Sequence, residues 1–324
     1  MVSSSCTTSG NGSHQIIVMG MSRSGSSLTA SVIAALLGRQ PGSWRGSGAA
    51  LATNSQNRLG YFERADVVSM NHALATRIAQ RSAVGWYVFP TDFAVRPRDY
   101  LHEGAAAATA LWKSVHEPRA RGIVADMEAH APWLLKDVRF ARTLPLWRPL
   151  LSRPVCILPY RHPLEVQASS TVRAVDRLTL WRNYMLSAVV AAQEAECPIM
   201  FVAYDSWLNA TLADDQLIRL HSFLRCAGVP GLPQRAPTKL LGSIVRPEER
   251  HHDASSPALR NRSPRLPPSV GCAWEWLRES DVQQRSGQRR IAARGDDELA
   301  DSCTDCSRLL RRHRRARPWT CPGR

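Results

Sequence analysis

The stretch QIIVMGMSRSGSSLTASVIAALLG, residues 15–38, constrains this chain more than any other. Its first five residues form a short apolar run that ends at Gly20, the pattern of a buried strand entering a tight turn. From Ser26 onward Leu28, Val32, Ala35 and Leu36 recur at helical spacing until Gly38, a helix stop signal. A strand, a glycine-rich turn and a helix in immediate succession offer backbone N–H groups and a helix N-terminus to an anion. The turn GMSRSGSSL, residues 20–28, is suited to a diphosphate-like group, with Ser24 or Ser26 expected as the helix cap.

The same alternation continues downstream. Apolar runs at residues 133–135, 155–158 and 199–203 read as buried strands. Helical spacing covers residues 66–80 and 177–195, and Pro163 is placed to open a helix that carries Val166 towards Val172. This order predicts an α/β fold: a parallel β-sheet flanked by helices in three layers, with binding loops at the carboxyl ends of the strands. A chain of 324 residues, 44% of them hydrophobic, can bury such a core. The domain is expected over residues 14–245, after a flexible Ser/Thr/Gly-rich segment at 1–13. In residues 246–324 the periodicity fades into Pro, Arg, Ser and Gly, which reads as a disordered basic extension. Its apolar patch at 274–277 is expected to form one helical turn or to dock.

Charge narrows the partners. The chain carries 42 basic and 27 acidic residues, a net charge of +15 that suits a polyanionic partner. The extension alone holds 17 Arg and no Lys against 11 acidic residues, and six of those Arg fall within residues 308–317. Nucleic-acid binding through this tail is therefore one alternative, although no zinc-finger, helix-turn-helix or aromatic RNA-reading motif accompanies it. Read as an appendage, the tail is expected to be removable without loss of nucleotide binding. No run of 18 apolar residues exists, so no membrane span is expected. Eight cysteines scattered through a chain of this size suggest mostly reduced thiols and favour a cytoplasmic setting. Cys303 and Cys306 form a lone CxxC without a second pair, so no metal is expected there.

The turn itself separates two chemistries. Gly20 and Gly25 stand where the two glycines of a nucleoside-triphosphate loop stand, but Ser26 occupies the place of its Lys. A nucleotide kinase or related NTPase is thus a rival lacking its usual phosphate contact. Arg23 lies inside the turn instead, and Ser24, Ser26 and Ser27 add hydroxyl donors.

Arg23-Ser24-Gly25-Ser26-Ser27 resembles the 5′-phosphosulfate loop of sulfotransferases that use 3′-phosphoadenosine-5′-phosphosulfate (PAPS), in which a basic residue, Ser, Gly and a Ser or Thr pair follow the first strand. A second motif, YRHPLEVQASS at residues 160–170, resembles the family's 3′-phosphate anchor, with Arg161 and Ser169 eight positions apart. Residues 60–74, 134–147, 180–184 and 202–208 also look like blocks of bacterial-type sulfotransferases, and the resemblance spans residues 14–246. One departure is Val138 in Lys136-Asp137-Val138-Arg139, where those relatives usually carry Pro.

The resemblance implies a P-loop-like sulfotransferase fold. The implied activity is metal-independent, in-line transfer of a sulfuryl group from PAPS to a hydroxyl or amine of a small-molecule or carbohydrate acceptor. PAPS, the co-substrate, is expected to be held by Arg23, Ser24, Gly25, Ser26, Ser27, Leu28, Arg161 and Ser169. The sulfuryl group carries less charge than a phosphoryl group, so Arg, Lys and N–H donors can supply the stabilisation that Mg²⁺ gives in phosphoryl transfer. Arg23 and Lys136 are expected to act in catalysis and Glu63 to be the base, with Asp137 and His72 as the next candidates. Trp86 and Tyr87 are candidates for an acceptor wall, whereas Trp181 and Tyr184, one helical turn apart, read as core.

Overall fold

The computed structural model describes residues 14–39, 47–50, 63–79, 105–169, 176–245 and 266–292. Four strands, β1 (His14–Val18), β2 (Trp133–Lys136), β3 (Arg153–Tyr160) and β4 (Ile199–Ala203), form one all-parallel sheet in the order β2-β1-β3-β4. Each coincides with an apolar run expected to be a strand. Register pairs Val18 with both Lys136 and Ile157, and Tyr160 with Ala203, so the carboxyl ends of all four strands line one edge.

Side-chain alternation along the strands feeds two cores, one on each face. On one face Ile16, Val18, Leu134, Ile157, Met200 and Val202 pack against α1 (Ser26–Leu36), α8 (Tyr204–Leu208) and α9 (Ala210–Cys226). On the other, Ile17, Leu135, Leu158, Ile199 and Phe201 meet α2 (Ala65–Ala79), α4 (Glu117–Glu128), α5 (Phe140–Trp147) and α7 (Arg177–Glu194). Trp181 and Tyr184 of α7 are buried there, as expected of core residues. The helical region at 105–128, comprising α3 (Ala105–Leu111), a π turn over Trp112–His116 and α4, lies within the long connection from β1 to β2. The short α6 (Pro163–Ala168) follows β3, and α10 (Leu241–Ile244) follows α9. No helix among the described residues is long and apolar enough to cross a membrane.

One feature adds to the expectations and a second corrects them. Cys156 of β3 and Cys197, just before β4, are joined as a disulfide, a pair not singled out among the eight cysteines, while Cys226 and Cys272 are thiols as a mostly reduced set implies. The register that pairs Cys156 with Ile199 brings Cys197 alongside it. The second concerns the extension. Residues 268–292 form a 25-residue helix, α11 (Pro268–Ala292), which buries Val270, Ala273 and Leu277 in the core shared with β4 and α7. The domain therefore does not end at residue 245.

This helix also closes the sheet. β4 is an edge strand whose outer N–H and C=O groups need partners. The Gln284 amide supplies them, accepting from the Phe201 N–H at 3.1 Å and donating to the Ile199 carbonyl at 3.0 Å. Asp281, 1% exposed, accepts from Tyr160 Oη, Arg219 and Arg285 and ties α11 to β3 and α9.

Candidate functional site

Strand order locates the site. From β1 the chain crosses to β2 on one side, and from β3 it crosses to β4 on the other. β1 and β3 are adjacent strands that feed opposite directions, and the crevice at their carboxyl ends is where open α/β sheets bind ligands. The loop after β1 and the start of the segment after β3 flank this crevice. They carry the two sequence motifs.

The loop after β1 is built on left-handed backbone. Gly20 has φ 132° and Gly25 φ 88°, and Arg23 holds φ 70°, a conformation costing a non-glycine residue about 1–2 kcal/mol. A side chain at Gly20 would meet Leu158 Cδ1 at 2.8 Å, and one at Gly25 would meet Tyr204 Cδ2 at 2.4 Å. The expected Ser cap does not form: Gly25 is the N-cap of α1, and no side chain caps the helix. The reason is this left-handed turn, which puts Gly25 rather than a serine at the helix entrance. Among the described residues no side-chain cap therefore covers the first turn of α1, the end of the helix that attracts an anion. Ser24 is fully buried in the same loop and its Oγ has no hydrogen-bond partner among the described residues, a costly state for a hydroxyl.

Arg23 brings the two motifs together. Its Nε donates to Ser169 Oγ at 3.2 Å, across 146 residues of sequence. Ser169 is the C-cap of α6, and Arg161 precedes the helix, so the two expected anchors of one phosphate stand at opposite ends of a six-residue helix. Arg161 is 6% exposed, donates from Nε to Glu165 Oε2 at 2.6 Å and places its guanidinium 4.4 Å from the Tyr204 ring centre. These contacts fix the plane of its fork. His162 Nδ1 accepts from the Leu164 N–H and caps α6.

The segment after β2 supplies a second cluster on the same sheet edge. Lys136 Nζ donates to Glu63 Oε1 at 2.5 Å, and both side chains are buried. Burial pushes the Glu63 carboxyl above its ordinary value, the positive charge of Lys136 opposes this, and Asp137 adds to the rise. Asp137 is committed elsewhere: Oδ1 accepts from the Arg139 backbone and guanidinium, and Oδ2 accepts from Asn71. Asn71 in turn accepts from Thr143 and Trp147, making Asp137 the centre of a framework joining α2 and α5. With both oxygens engaged it is a poorer base than Glu63, whose Oε2 carries no hydrogen bond among the described residues. His72, on α2, is held below the usual imidazole value by burial and by Arg139, which keeps it neutral near pH 7. Val138 turns into the core at the place where the relatives carry Pro.

Sequence reasoning missed Glu165 and Tyr204. Glu165 could have been found as the i+4 partner of Arg161 on a helix. Tyr204 opens the segment after β4, which gave a strand-end position but no hint that the ring wedges between Gly25 and Arg161. Trp86, Tyr87, Cys303 and Cys306 lie outside the described residues.

The fold and this cluster together define an α/β protein with a candidate anion site at its topological switch point. No protein-family model, no curated protein and no solved structure matches the chain.

Proposed function

We propose that this protein is a sulfotransferase that moves a sulfuryl group from PAPS to a hydroxyl or amine of a small-molecule or carbohydrate acceptor, on a P-loop-like fold. The observation that carries the reading is the bond from Arg23 to Ser169, which joins the two sulfotransferase-like motifs at the β1–β3 crevice. Among the described residues the first turn of α1 has no side-chain cap and the buried Ser24 hydroxyl no partner, which supports an anionic ligand there. Ser26 in place of a Lys disfavours nucleoside triphosphate chemistry.

In this reading the N–H groups of Gly25, Ser26, Ser27 and Leu28, with the serine hydroxyls, bind the 5′-phosphosulfate. Arg161 and Ser169 bind the 3′-phosphate. The acceptor oxygen attacks sulfur in line as the bond from sulfur to the 5′-phosphate oxygen breaks, and 3′-phosphoadenosine-5′-phosphate (PAP) leaves with that electron pair. Arg23 and Lys136 offset the charge that grows on the leaving oxygen. Glu63 takes the acceptor proton on Oε2 while Lys136 holds Oε1.

Incubation with sulfur-labelled PAPS and with γ-phosphate-labelled ATP, across phenols, sugars and small alcohols, tests the reading. Label is expected to move from PAPS alone, and transfer of γ-phosphate would overturn it. The base has its own signature. Because burial raises the Glu63 pKa, its carboxylate forms at higher pH than an ordinary Glu, so kcat/KM is expected to climb with pH through an inflection above the usual carboxylate range. Glu63→Gln keeps an acceptor for Lys136 but no base. It is expected to lower kcat by ~10²–10⁴ and to abolish the inflection while retaining PAP affinity. An unchanged pH profile would assign the proton to another group.

A further inference from the structure

We infer that α11 sets the position of Arg161 through Trp274, a positioning residue for the 3′-phosphate half of the site. The inference rests on the proposed sulfotransferase reading. Arg161 lies in sequence between Tyr160 and His162, and α11 holds both neighbours. Tyr160 Oη donates to Asp281 Oδ2 at 2.8 Å. Burial and the Asp281 charge push this phenol well above its ordinary pKa, so it stays a donor. The His162 ring stands edge-on to Trp274 with centroids 4.9 Å apart, and Trp274 also meets Tyr160 at 5.7 Å and Trp181 at 6.2 Å.

His162 transmits this packing to the rest of the half-site. Its Nδ1 caps α6, the helix that carries Glu165, the partner of Arg161, and ends at Ser169. A His162 ring free to turn gives up the cap, and α6 can then shift relative to β3. Arg161, Glu165 and Ser169 all depend on that junction. The loop after β1 has other neighbours: Arg23 apart, Leu158 and Tyr204 stand beside its glycines and its own turn closes it, whereas the ring contacts of Trp274 are to Tyr160, His162 and Trp181. Loss of Trp274 should therefore weaken recognition of the 3′-phosphate and spare the 5′ end.

Two nucleotides separate these effects: PAP, and AMP, which lacks the 3′-phosphate. Calorimetric titration of the full-length protein gives the ratio of their Kd values. The wild type is expected to prefer PAP. Trp274→Ala is expected to raise the PAP Kd about tenfold while the AMP Kd stays within about twofold, so the ratio collapses. Trp274→Phe, which retains an aromatic edge for His162, restores most of it. Leu277→Ala, one turn along the same helix, is expected to lower the melting temperature and keep the ratio. His162→Ala approaches the junction from the other side, without a core substitution, and is expected to reduce the ratio as Trp274→Ala does, with the double variant no worse than either single one. The inference is overturned if either alanine variant keeps the ratio, if both nucleotides weaken equally, or if Leu277→Ala erodes the ratio to the same extent. A wild type with no preference for PAP would instead remove the functional reading on which the inference stands.

Discussion

Gly25→Ala is expected to abolish useful donor binding while leaving the chain folded. Gly25 sits at φ 88°, and its Cβ would lie 2.4 Å from Tyr204 Cδ2 and 3.2 Å from Cγ. The left-handed backbone alone costs alanine about 1–2 kcal/mol. The overlap adds roughly 1–3 kcal/mol, because ring carbons of a packed tyrosine cannot yield as the end of a flexible chain does. Two escapes exist: the loop abandons its left-handed turn, or Tyr204 moves away. The first withdraws the N–H groups of Ser26 and Ser27 from the anion, and the second removes the ring against which the Arg161 guanidinium lies at 4.4 Å. Either path damages the site, so a penalty of about 3 kcal/mol should appear as a rise of about 100-fold in the PAP Kd. Gly38 provides the internal control. It too is left-handed, at φ 63°, but nothing among the described residues lies within 4 Å of its Cβ position. Gly38→Ala should therefore lower the melting temperature slightly and leave PAP binding unchanged. Titration and thermal melts of the two variants decide the matter, and equal PAP affinity in Gly25→Ala and wild type would refute the role given to this turn.

Much of this architecture was legible because it depends on short-range chemistry. Parallel strands buried on both faces must be apolar nearly throughout, so runs such as 133–135 and 199–203 announced β2 and β4 without help from the tertiary structure. Arg23 and Ser169 could be read as separate loop residues, but their meeting depends on β1 lying beside β3, and strand order leaves no mark in a local window. The framework role of Asp137 was hidden for a related reason: its partner Asn71 lies 66 residues upstream, and a carboxylate reads alike in sequence whether it abstracts protons or ties helices together. α11 was the largest miss. Its inward stripe runs Val270, Ala273, Leu277, Asp281 and Gln284, at spacings of three or four, but its last two members are polar. They face inward because they answer groups elsewhere: Asp281 meets buried Arg219 and Tyr160, and Gln284 meets the open edge of β4. A hydrophobic periodicity test counts both as solvent-facing, and the surrounding Arg and Pro residues then suggest disorder.

That miss yields the second large effect. Deletion of residues 246–324, which the sequence presents as a removable tail, is expected to leave a chain that does not fold cooperatively. Val270 and Leu277 are fully buried, and exposing such side chains costs about 1.5–3 kcal/mol each. Arg219, 4% exposed, loses its ion pair with Asp281, and breaking a buried ion pair by removing one partner costs about 3–5 kcal/mol. Tyr160 Oη and the Phe201 N–H lose their acceptors, and the Ile199 carbonyl loses its Gln284 donor along the edge of β4. Together these losses rival the roughly 5–15 kcal/mol by which a domain is usually stable. The edge they uncover is an unpaired strand of the sequence IMFVA, which invites intermolecular pairing. The truncated chain should therefore accumulate as aggregate and lack a cooperative thermal transition. Full-length Gln284→Ala isolates one part of this loss: faster amide exchange is expected at Phe201, whose N–H loses its acceptor, with little change in β1. A truncated chain that melts with the same midpoint and cooperativity as the full-length protein would show that α11 is an appendage after all.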